Sequence, residues 1–179
     1  MASYHVFTDV RMPQHLPVGA VLVPQRTYTA ERPVQAFDAA APIRFVTRGA
    51  LGIRLVDALE ENTFALEGAG EMIQIPSRGQ KLGIRMVWPG YEPWTKHISI
   101  VGVAPNQLIT KGRLAYEVAR AVRKCLEELS HKSSSEAAPD WWATQVPIDQ
   151  LVLLELHQVM LSSWQPILCR VVPVPALGA

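Results

Sequence analysis

The apolar pattern predicts an α+β fold: a single compact domain in which an antiparallel sheet of about four strands packs against two or three helices. Three observations carry that expectation. Residues 81–88 (KLGIRMVW) alternate, with Leu82, Ile84, Met86 and Trp88 on one face and Lys81, Gly83, Arg85 and Val87 on the other. Residues 110–130 instead place Leu114, Val118, Ala121, Val122, Cys125 and Leu129 at three- and four-residue steps, the period of a helix with one buried face. The strand candidates between 71 and 101 are separated by short connections, which favours an antiparallel meander.

In chain order, residues 1–42 form a proline-rich N-terminal arm. Pro13, Pro17, Pro24, Pro33 and Pro42 interrupt any long ladder, leaving 18–23 (VGAVLV) as one short strand and the rest wrapped on the body or mobile. The domain proper is placed at 43–175. Its first helix is expected at 48–61, with Leu51, Leu55, Ala58 and Leu59 on the inner face and Gly49 and Gly52 weakening its start. Strands follow at 71–76, 81–88 and 96–101. The 110–130 helix has Thr110 as N-cap and the opposite-charge pairs Arg113–Glu117, Arg123–Glu127 and Lys124–Glu128 at i,i+4. Residues 131–140 (HKSSSEAAPD) carry no large apolar side chain and read as a flexible surface loop. Residues 148–163 read as a second, nearly enclosed helix, because Leu151–Leu154, Leu156, Val159 and Met160 leave only a narrow polar stripe at Glu155, Gln158 and Ser162. A last strand is expected at 166–174, with Pro173 and Pro175 turning the chain away from the sheet.

Composition narrows the classes. A hydrophobic fraction of 49% with 18% charged residues is that of a packed domain. A net charge of +1 gives no global attraction to nucleic acid or to an anionic membrane. The longest apolar run, Leu151–Leu156, is too short to span a bilayer, and residues 1–16 contain no secretory apolar core, so an intracellular protein, cytoplasmic or nuclear, is expected. Cys125 and Cys169 have no CxxC spacing and fall on apolar faces, as buried thiols do.

Signatures of catalysis or cofactor binding do not appear. The GAG at 68–70 lacks both the dinucleotide and the P-loop extension, and GALG at 49–52 is a weak candidate for an anion at a helix start. The five histidines have no metal-ligand spacing; His157 near Glu155 reads as a packed or rim histidine. Neither Ser162 nor Ser163 has a nucleophile-elbow setting, and Glu60–Glu61 and Glu127–Glu128 point apart on helices. No catalytic residue, metal or cofactor is therefore assigned, and a non-enzymatic role is favoured.

Two aromatic concentrations remain. In 85–100 (RMVWPGYEPWTKHISI), alternation sends Trp88 into the core and leaves Tyr91 and Trp94 as candidates for a partner-binding surface; Trp141 and Trp142 form a second. Arg85 and Lys96 beside the first, and Arg113, Arg120 and Lys124 along the 110–130 helix, supply the cations that a nucleic-acid surface needs.

Three segments form an ordered set: Trp88, Pro89, Gly90, Tyr91 and Trp94; then Leu114, Ala115, Val118 and Ala119; then Trp164 and Gln165. With these the chain resembles, over 48–172, a family of proteins from mushroom-forming (basidiomycete) fungi. Those proteins share a Trp/Phe-Pro-Gly-Tyr turn, a basic helix opening Leu-Ala-x-x-Val-Ala, and a later helix ending Ser-Trp-Gln. The link 99–113 (SIVGVAPNQLITKGR) departs from the Gly-Pro-Ile-Thr opening of that family. The resemblance implies one compact domain and, the family having no known activity, adds no chemistry. The functional expectation is an interaction module for a protein partner or a second copy, at Tyr91, Trp94, Trp141 and Trp142. The alternatives are a nucleic-acid-binding protein and, third, an enzyme or small-ligand carrier with a pocket between helices and sheet.

Overall fold

The computed structural model describes residues 16–17, 19–28, 37–77, 79–102, 107–135 and 139–172. The parts of the expected arm at 1–15, 18 and 29–36, of the expected loop at 136–138, and the chain end at 173–179 lie outside them. The architecture is α+β, but the sheet is larger than four strands. Its strands are β1 (Ala20–Leu22), β2 (Ile43–Arg44), β5 (Ile53–Arg54), β6 (Lys81–Met86), β7 (Trp94–Ser99), β8 (Leu151–Met160) and β9 (Ser163–Val171). They run in the order β2-β8-β9-β6-β7, with β1 also beside β9 and β5 also beside β8. A separate hairpin joins β3 (Val46–Thr47) to β4 (Ala50–Leu51). Among the described residues the α-helices are α1 (Leu55–Leu59) and α2 (Lys111–Leu129).

The best-patterned elements form as expected. In α2 the Thr110 hydroxyl accepts from the Arg113 amide, capping the first turn. Its apolar face packs onto Leu82, Ile84 and Met86 of β6 and Ile98 of β7 in the main core cluster. β6 and β7 pair antiparallel from Lys81↔Ser99 to Met86↔Trp94. The expected meander stops there: 71–76 is not a strand, Met72 making only a single bridge to Thr110, and the second neighbour of β6 is β9, in parallel.

The largest correction falls on 148–163, which is not a helix. Residues 151–160 are the long strand β8, and β9, expected from 166, begins at Ser163, so the two form a hairpin. A run of leucines serves a strand as well as a helix when both faces are covered, and here both are. Leu151, Leu153 and Leu156 face the α2 side, while Val152 and Leu154 lie in a second cluster with Ile167 and Cys169. Leu16 of the arm and Leu51 of β4 close over that second cluster. A bulge between Leu153 and Glu155 leaves Leu154 as an extra residue, so Glu155 falls on the back face opposite Ile167 while Leu156 returns to the front.

The helix expected at 48–61 shrinks to the five residues of α1. Ahead of it, β2 and β5 each pair briefly with β8, and the β3–β4 hairpin lifts off between them. Gly52 has φ +112°, and a Cβ there would lie 2.4 Å from Val152 Cγ1, so this position needs glycine for both conformation and space. The arm, in turn, is partly woven into the sheet: β1 pairs with Cys169–Val171. The Gln25 side chain bridges a gap between strands, donating to Pro166 O (2.8 Å) and accepting from the Val87 amide (3.2 Å).

Candidate functional site

The two aromatic stretches come together at one end of the sheet. Trp88 leaves β6 into the core, and its Nε1 donates to Trp141 O at 2.7 Å. Pro89-Gly90 then turns the chain, with Gly90 at φ +80°. The Gly90 carbonyl accepts from the Ser135 amide (2.8 Å) and hydroxyl (3.0 Å), so the 131–135 end of the expected loop is tied to this corner. The Tyr91 hydroxyl accepts from the Ala143 amide (3.3 Å), and Trp94 Nε1 donates to Glu128 Oε2 at the end of α2 (2.7 Å). Tyr91, Trp94 and Trp141 are half-buried against the main core, while Trp142 is 39% exposed. Hydrogen bonds from Trp88, Tyr91 and Trp94 thus hold the corner to 141–143 and to the end of α2, with the Trp142 indole partly exposed beside it.

The candidate basic residues do not form one surface. Arg85 lies on the back face, its guanidinium 4.6 Å from the Tyr28 ring centroid and its Nε on Ser163 Oγ (3.3 Å). Lys96, paired with Ile84, is on the front face. Along α2, Arg113 and Arg120 share Glu117 (2.7 and 3.5 Å), and Lys124 lies 3.8 Å from Glu127 and 3.9 Å from Glu128. These carboxylates offset part of the positive charge of the helix face and so weaken its attraction to a phosphate backbone.

A third cluster contains Glu155 and His157, which the sequence pattern placed on a helix, and adds Arg44. On the back of β8, Glu155 is buried and accepts from Arg44 Nε of β2 (2.9 Å), while His157 Nε2 lies 2.7 Å from its other oxygen. Burial pushes the Glu155 carboxyl up, but its bonds to His157 and Arg44 and their charge outweigh that and hold it below the usual carboxylate range. The signal was the i,i+2 spacing, which places both side chains on one face of a strand but apart on a helix. Beside them the buried Gln165 amide accepts from the Tyr28 amide and donates to Arg26 O, both at 2.8 Å, clipping the arm to β9. The Trp164-Gln165 pair therefore sits on a strand, with the indole in the front core and the amide on the back.

Cys125 and Cys169 are free, buried thiols, pushed by burial up to about 12 and about 11, where nucleophilic thiolate is scarce. No group of three or more His, Cys, Asp or Glu side chains suited to a metal ion occurs among the described residues. No described helix is long and apolar enough to cross a membrane. A cleft of ≈ 430 Å³ lies between Pro17, Leu51 and Val171, and another of ≈ 410 Å³ lies between Ser99 at the end of β7, Leu108 and the start of α2 (Thr110, Arg113, Glu117), where a pocket between helix and sheet was expected; both open to solvent. No family model, no curated protein and no solved structure matches this chain.

Proposed function

We propose that the protein is an intracellular, non-catalytic interaction module that binds another polypeptide at the aromatic corner, with Trp142 as its exposed anchor. What supports this is the meeting of two separate aromatic stretches, Trp88 with Trp141 and Tyr91 with Ala143, beside the exposed Trp142, with Trp94 tied to Glu128 of α2. Interfaces draw their energy from a few aromatic anchors held in fixed positions, because such side chains bury much area and lose little conformational freedom. The paired cations of α2 favour this over nucleic-acid binding. The basidiomycete resemblance, resting on the corner, on Leu114–Ala119 and on Trp164–Gln165, belongs to the same proposal.

A photoreactive residue at 142, compared with one at the exposed Gln74, tests it in extract of the source cell. A protein adduct is expected at 142 and not at 74, and unlabelled wild-type protein should compete it away while Trp142→Ala does not. Equal adducts at both positions, or equal competition by Trp142→Ala, would overturn the reading.

A further inference from the structure

β7 is the last strand in the sheet order, and among the described residues no strand pairs with its outer edge. Which of its backbone groups face outward follows from the ladder. The Ile100 amide donates to Gln80 O at 3.0 Å, one step beyond the Lys81↔Ser99 pair. In an antiparallel ladder bonded and non-bonded pairs alternate, so Trp94, Lys96 and Ile98 spend their amides and carbonyls on β6. Thr95, His97 and Ser99 turn theirs outward. The register over Trp94–Ser99 is continuous, without proline or bulge, two of the devices that block an edge; Lys96 is a third, and it opposes any added strand that brings no carboxylate to meet it.

The side chains beside this edge are electrostatically incomplete. Arg113, Arg120, Arg123 and Lys124 of α2 each lie within ion-pair distance of a carboxylate. Lys96 forms no ion pair among the described residues, and His97 beside it is exposed. Lys96 stands on the front face between Trp94 and Ile98. A strand laid along the edge would set one side chain directly opposite Lys96 and its i±2 neighbours diagonally across from it on the same face.

We propose that the outer edge of β7 takes up an extended, acidic segment of the partner polypeptide as an added strand. Thr95, His97 and Ser99 supply the main-chain bonds, Lys96 selects a carboxylate, and Trp94 joins the edge to the aromatic corner. A second copy of β7 is a poorer occupant, because Trp94–Ser99 contains no carboxylate to meet Lys96. The inference rests on the proposed polypeptide-binding role and adds the conformation and charge of what is bound.

The test uses the full, isotope-labelled chain and a short synthetic peptide alternating Val and Glu, with a Val-Lys peptide and a Val-Glu peptide N-methylated at alternate residues, in both phases, as controls. The Val-Glu peptide should shift the amides of Thr95, His97 and Ser99 saturably and slow their hydrogen exchange about tenfold, leaving those of Lys96 and Ile98 little changed. The Val-Lys peptide should do neither, and Lys96→Glu should reverse the preference. In at least one phase, N-methylation should abolish the effect. Unchanged exchange at all three amides with millimolar Val-Glu peptide would overturn the proposal, as would equal protection by both N-methylated forms or by the Val-Lys peptide. The two readings fail separately: adducts at 142 report on the corner, and exchange at 95, 97 and 99 reports on the edge.

Discussion

The two faces of the β8–β9 hairpin hold the molecule together by different physics. On the front, Leu151, Leu153, Leu156, Trp164 and Leu168 are fully buried in the cluster that includes the apolar stripe of α2. On the back, Val152, Leu154, Ile167 and Cys169 give way after the bulge to Glu155, His157 and Gln165, each holding a named polar partner. Front-face attraction is non-directional and scales with buried area. Back-face attraction depends on particular atoms, and it positions the pieces that carry little apolar surface of their own: β2 through Arg44, the arm through Gln165. The front should therefore respond to volume and the back to charge and hydrogen bonding.

The largest expected effect is on the front. Leu153→Ala removes buried methyl groups from a position with no exposure and should cost about 2–5 kcal/mol in urea unfolding, whereas Leu153→Met, which conserves volume, should cost less than about 1.5 kcal/mol. Similar costs for the two variants would break the volume rule on this face.

On the back, Glu155→Gln keeps the volume and removes the charge. It should cost about 2 kcal/mol near neutrality, modest for a buried carboxylate because Arg44 is 59% exposed and rehydrates readily. The sign of its pH dependence follows from the carboxyl lying below the usual carboxylate range in the folded protein. The pairing contributes in full above that range and is lost as pH falls through it toward the lower folded value. The gap between wild type and Glu155→Gln should thus narrow as unfolding is measured from neutral pH down to about 3. A constant gap would show that the charge contributes nothing.

The same contrast explains what could be read in the sequence. α2 was legible because its period, its Thr110 cap and its three i,i+4 pairs are local, and Arg113–Glu117, Arg123–Glu127 and Lys124–Glu128 all form. β6 was legible from its alternation. β8 was not, because Leu151–Leu156 suits any doubly buried element, and what buries its back (Leu16 and Leu51) lies far away in the chain. Reading β8 as a helix put Glu155 and His157 near each other but on different faces, and so hid their cluster with Arg44. The aromatic stretches 88–94 and 140–142 were visible as composition; that Trp88 Nε1 reaches Trp141 O was not, since it depends on how the chain returns from α2.

The two most buried tryptophans sharpen the comparison within the front face itself. Trp88 and Trp164 are 1% and 0% exposed, so replacing either with Phe removes similar apolar volume from a similar environment. They differ at one atom: Trp88 Nε1 donates to Trp141 O, whereas Trp164 Nε1 is buried with no hydrogen-bond partner. Trp88→Phe loses a bond and leaves a carbonyl unsatisfied. Trp164→Phe removes a donor that was already costing desolvation, offsetting part of the lost packing. Trp88→Phe should therefore be the more destabilising by about 1–2 kcal/mol, read from urea midpoints at equal slope. Equal losses would mean that the indole at 164 is held by more than shape. The expected inequality would place the Ser-Trp-Gln stretch among packing elements, its Trp serving the front by volume and its Gln the back by hydrogen bonds.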